Sequence, residues 1–93
     1  MSDESKLNAE AERGARAEIL LRNELLQEAF SALEARYVEE WRTTQFRDTD
    51  ARERLWQAVN IVRKVKDHFV AVLANGKLAQ RELDDLAGAR RKS

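Results

Sequence analysis

Residues 51–74, ARERLWQAVNIVRKVKDHFVAVLA, place Leu55, Ala58, Val62, Val65, Phe69 and Val72 at alternating spacings of three and four. That spacing returns to one side of an α-helix, and no Pro or Gly interrupts the run. The stretch therefore predicts one long amphipathic helix with a narrow, coiled-coil-like apolar seam. At 1.5 Å per residue it would extend roughly 36 Å. A seam of that length needs a partner of similar length.

The segment before it supplies one. In residues 24–43, Leu26, Phe30, Leu33, Tyr37 and Trp41 fall on one stripe, widened by Leu25, Ala29 and Val38. The opposite face is read as carrying Glu24, Glu28, Glu34, Glu39 and Glu40. Between the two segments, Thr43-Thr44-Gln45-Phe46-Arg47 breaks the period, and Asp48-Thr49-Asp50 offers N-cap residues. With Asp50 as the cap, Glu53 takes the third helical position of a capping box. A connection of about five residues suits an antiparallel helical hairpin. Its pairing seam is expected to comprise Leu26, Phe30, Leu33, Tyr37 and Trp41 against Leu55, Trp56, Val62, Val65 and Phe69. Arg63, Lys64 and Lys66 would then lie across from Glu24 and Glu28.

Outside the hairpin the signals weaken. Residues 1–6 read as a disordered polar lead. Residues 7–22 read as a helix supported by alanine propensity and by the Glu12–Arg16 and Glu18–Arg22 spacings. Gly14 costs that helix about 1 kcal/mol relative to Ala. Asn23 either caps a new helix at Glu24 or sits within one long helix over 7–43. Asn75-Gly76 reads as a helix stop, since both residues tolerate the left-handed conformation of a C-terminal cap. A short helix over 77–87 carries Leu78, Ala79, Leu83 and Leu86 before Gly88, and 89–93 read as a basic frayed tail. The expected fold is all-α: helices over about 7–22, 24–43, 50–75 and 77–87 in a single domain spanning 7–88. Its centre is a long antiparallel hairpin with an added N-terminal helix and a short C-terminal helix.

Composition narrows the function. The 93 residues hold 17 basic and 17 acidic side chains, no Cys, no Pro and one His. Acids outnumber bases by ten to six in residues 1–46, and bases outnumber acids by eleven to seven in 47–93, so an acidic helix beside a basic one accounts for the charge. Without cysteine there are no disulfides or thiolate metal sites, and His68 alone cannot assemble a transition-metal site or serve a nucleophilic triad. Glu39-Glu40 and Asp84-Asp85 are adjacent pairs, which diverge on a helix. Gly76-Lys77 lacks the rest of a phosphate-binding loop. No enzymatic activity, cofactor or metal is expected. No apolar stretch approaches a membrane span or a secretion signal, so the expected setting is not secreted and not membrane-bound. Arg63, Lys64, Lys66, Arg90, Arg91 and Lys92 are candidate nucleic-acid contacts, with Trp41, Phe46 and Trp56 near other arginines as stacking surfaces.

The run from Arg13 to about Gln80 resembles short helical proteins encoded in bacteriophage and prophage gene clusters. The likeness rests on Arg13-Gly14-Ala15-Arg16-Ala17, Asn23-Glu24-Leu25-Leu26-Gln27-Glu28-Ala29-Phe30, and Trp41-Arg42-Thr43-Thr44. It continues with Arg47-Asp48, Ala51-Arg52-Glu53-Arg54-Leu55-Trp56, Val65, His68 and Gly76-Lys77-Leu78-Ala79. In similar sequences a proline often follows the asparagine; this chain has Glu24 there. The resemblance implies a non-enzymatic structural or assembly role in the cytoplasm of a bacterial host or in the virion. Other phage proteins would be its partners, and the small apolar area of one hairpin at this length favours a homo-oligomer as well. A DNA-packaging accessory resembling a small terminase subunit is the alternative, and an adaptor or inhibitor docking on a host protein is a third. The resemblance carries over no active residues.

Overall fold

The computed structural model describes residues 2–92, with only the backbone at 2 and 92; Met1 of the expected lead and Ser93 of the expected tail lie outside the described residues. The protein is all-α, with three helices: α1 (Ser2–Arg22), α2 (Glu24–Thr43) and α3 (Thr49–Lys92). The residues group into two compact units, one of residues 1–21 and 69–93 and the other of residues 22–68. The 44-residue α3 contributes to both.

Helix ends follow local chemistry. Asn23, in an extended conformation (φ −68°, ψ 118°), accepts from the Leu26 amide through its side chain, which settles the open question in favour of a cap. Where a disordered lead was expected, α1 is already helical from Ser2. Asp3 and Glu4 sit in its first turn, where acids suit the helix dipole. Glu4 also bonds Arg90 Nη2 at 2.8 Å. The cap of α3 is Asp48 rather than Asp50. Its carboxylate accepts from the Ala51 amide at 3.2 Å and its carbonyl from Arg52, so the helix begins two residues earlier.

The larger correction concerns Asn75-Gly76 and Gly88. Neither stops the helix, and α3 continues through residues 77–92 with no separate C-terminal helix and no frayed tail over 89–92. No glycine adopts a positive φ. Gly76 is buried in the middle of α3 because α1 crosses it there. A Cβ built on Gly14 would lie 2.6 Å from the Gly76 Cα, and one built on Gly76 would lie 2.5 Å from the Gly14 Cα. The neighbouring carbonyls reciprocate: Val72 O faces Gly14 and Glu10 O faces Gly76. Glycine is required at both positions by the approach of one backbone to the other. The same reciprocal geometry suits Cα–H···O contacts, which reward such an approach.

The seam of α3 keeps the central positions expected of it, continues beyond them, and shifts at one flank. Leu55, Val62, Phe69, Gly76 and Leu83 recur every seven residues and are all buried or partly buried. The expected flank of Ala58, Val65 and Val72 is joined by Val59, which is 1% exposed, while Val65 is 45% exposed. Within residues 22–68, Glu34 meets Arg63 and Trp41 meets Arg52, so residue numbers rise along α2 as they fall along α3. Within the other unit, Glu4 meets Arg90 and Gly14 meets Gly76 in the same opposed sense.

The glycines give a direct test. Gly14→Ala or Gly76→Ala should force two backbones apart and destabilise the chain by about 1–3 kcal/mol, the range for overpacking. Gly88 has nothing within 4 Å of a built Cβ. Gly88→Ala should therefore stabilise by about 0.5–1 kcal/mol through helix propensity. Urea unfolding of the three variants, followed by circular dichroism, reads both signs.

Candidate interaction surface

A pair of helices buries one stripe of each and leaves the rest in water. Among the described residues, only Ala17, Val59 and Ala79 have side chains in the buried hydrophobic core, and α2 has none. Of the expected seam, Leu26, Phe30, Tyr37, Trp41, Leu55, Val62 and Phe69 are partly buried, whereas Leu33, Trp56 and Val65 are exposed. Seven of the ten are thus partly buried and three are exposed.

The α2–α3 connection is held by an arginine. Arg52, in the first turns of α3, lies over the Trp41 ring at 4.2 Å from its centroid. Its Nη1 donates to the carbonyls of Trp41 and Thr44, at 3.2 Å each. Those carbonyls are at the C-terminal end of α2, where a helix lacks internal donors and favours a cation. The hydroxyls of Thr43 and Thr44 donate to Glu39 and Glu40 carbonyls. A tight turn follows, closed by the Asp48 amide on the Gln45 carbonyl, and it carries Phe46 outward at 86% exposure. No glycine is needed to end α2, because side chains satisfy its last carbonyls. The role of Arg52 was missed in sequence, where it reads only as one more loop cation.

One side of the α2–α3 pair is apolar. Glu34 and Arg63 meet at 2.7 Å on the other side. At 100° per residue, Leu25, Ala29 and Leu33 lie on the flank of α2 turned away from Glu34, and Ala58, Ile61 and Val65 on the flank of α3 turned away from Arg63. The two flanks therefore share a face. Leu25 is 74% and Ile61 61% exposed on it, with Leu33 and Val65 less so.

The candidate cations are divided. Arg63 pairs with Glu34 rather than facing Glu24 and Glu28, and Arg90 pairs with Glu4. The hydrogen bond and charge of Arg90 hold the Glu4 carboxyl below its ordinary pKa. Lys64, Lys66 and Arg91 are exposed, and the Lys92 side chain is outside the described residues. Among the described residues no group of three or more His, Asp or Glu side chains is placed to hold a metal ion, and no helix is long and apolar enough to cross a membrane. Set against protein-family models, curated proteins and solved structures, the chain matches none.

Removing the α2 cap should be costly. Arg52→Ala is expected to lower stability by about 1–2 kcal/mol, combining a cation–π contact with two charge-assisted hydrogen bonds. Arg52→Lys should recover little, because an ammonium cannot both stack on the ring and reach two carbonyls. Chemical denaturation of both variants checks the pair.

Proposed function

We propose that this chain is a non-enzymatic assembly protein that works through helix–helix contacts, by self-association and by docking on other proteins of a bacteriophage particle. The observation that carries the reading is the exposed apolar face of Leu25, Ala29, Leu33, Ala58, Ile61 and Val65. Isolated exposed apolar residues are ordinary on a protein surface, whereas a contiguous set marks an interaction site. The scarcity of buried side chains supports the same reading. At this chain length one core is marginal, and association supplies the missing burial. The phage setting rests on the resemblance of residues 13–80 to small prophage-encoded helical proteins.

A DNA-packaging accessory is the second reading, favoured by exposed Lys64, Lys66 and Arg91 together with the exposed aromatic rings of Phe46 and Trp56. The ion pairs already made by Arg63 and Arg90 weigh against it.

Native mass by light scattering, with and without DNA at low salt, separates the readings. The assembly reading predicts a mass above the 10.7 kDa monomer, unchanged by DNA and lowered by Ile61→Glu with helicity intact. A monomer throughout would contradict it. A DNA-dependent mass, lost when Lys64 and Lys66 become Ala and falling steeply with salt, would select the packaging reading.

A further inference from the structure

Asn75-Gly76 has a covalent chemistry of its own. The main-chain nitrogen that follows an asparagine is a nucleophile for that asparagine's side-chain amide. Glycine in the second position hinders the attack least, because it has no Cβ and turns freely into the reacting conformation. The chain has four asparagines, and only Asn75 is followed by glycine. In the folded protein the pair is held out of reaction. Both residues lie inside α3, so the Gly76 nitrogen donates to the carbonyl four residues back, that of Val72. The same carbonyl faces α1, 3.2 Å from a Cβ built on Gly14. Gly76 is buried, whereas Asn75 is exposed and borders a small recess with Val72 and with Glu10 and Arg13 of α1. The contact with α1 therefore restrains the nucleophile and leaves the amide it would attack open to water.

We propose that Asn75 is a latent deamidation site guarded by α1, so that undocking of α1 from α3 is converted into a permanent covalent mark. Once α1 leaves, Asn-Gly regains its local character as a helix stop, and glycine costs the helix about 1 kcal/mol relative to Ala. The Gly76 nitrogen then bonds to the Asn75 Cγ. The Cγ–Nδ2 bond breaks, and ammonia leaves with the proton from the Gly76 amide. The resulting succinimide takes up one water and opens to aspartate or to isoaspartate. No other reactant is needed. In isoaspartate the main chain runs through the side-chain carbon and is one methylene longer. That extra atom, just before Gly76, puts the rest of α3 out of phase and moves Gly76 off Gly14. Both products also add a carboxylate to the recess that already holds Glu10. The isoaspartyl chain therefore does not regain the glycine contact.

The full chain, incubated in warm, mildly alkaline buffer and mapped by peptide mass spectrometry, tests this. Asn75 should deamidate at least about tenfold more slowly in the folded chain than in the same chain unfolded in urea, because the reaction waits on local opening. Gly14→Ala, which weakens the contact, should speed the folded-state reaction about fivefold or more. Ala17→Gly, a milder loss on α1, should act in the same direction and keeps the test open if Gly14→Ala fails to fold. Arg52→Ala, which weakens the other unit, should leave the rate unchanged. The isoaspartyl chain, separated by ion exchange, should lack the nuclear Overhauser contact between Gly14 and Gly76. Equal rates in the folded chain and in urea would overturn the proposal. So would no acceleration by either α1 variant, equal acceleration by Arg52→Ala, or a glycine contact that survives in the isoaspartyl chain.

Discussion

Two backbones touch where Gly14 meets Gly76, and much of the α1–α3 unit depends on that contact. With no Cβ on either side, the helices approach until each glycine faces a carbonyl of the other helix. A contact of this kind sets register, because a shift of one residue along either helix would bring a side chain into the gap. Beside it lies a hollow lined by Ala11 and Ala15, and about one turn on along each helix lie the buried Ala17 and Ala79. Further along, the same antiparallel register brings Glu4 to Arg90. The small side chains that look like propensity fillers in sequence are what lets the backbones meet.

The α2–α3 unit solves its packing differently. Its side chains are large, its single fully buried one is Val59, and its turn is fixed by Arg52 capping α2 while stacking on Trp41. Polar and cationic groups thus do at the turn what glycines do in the other unit. The Glu34–Arg63 pair is substantially exposed and contributes little to stability, as surface ion pairs generally do. Its value is as a marker of which side of the pair is polar, leaving the Leu25–Ile61 side for a partner.

Sequence made the all-α class legible, along with the bounds of α2 and the central positions Leu55, Val62 and Phe69, because apolar periodicity reports directly on burial. It misled at Gly76. Read locally, Asn-Gly is a helix terminator; read in phase, Gly76 falls seven residues after Phe69 and seven before Leu83, inside the seam. What decides between the two is the residue opposite, Gly14, and no local rule reports a partner more than sixty residues away. The lead before Leu7 was missed for the same reason, since the anchor of Glu4 is Arg90 at the far end of the chain. The apolar face of Leu25, Leu33, Ile61 and Val65 was partly hidden by being counted with the seam. A stripe read from spacing does not separate its centre from its edge, and Leu33 and Val65 belong to the edge.

The continuity of α3 through a glycine held by another glycine is the claim on which the register of the α1–α3 unit stands. Solution NMR tests it most directly, through the chemical shifts of residues 72–80 and the contacts of the two glycine α-protons. The structure predicts uninterrupted helical shifts across Asn75-Gly76 and a strong nuclear Overhauser effect between the α-protons of Gly14 and Gly76. Non-helical shifts at Gly76, with no contact to Gly14, would show that the helix ends where its sequence first suggests and would contradict the account.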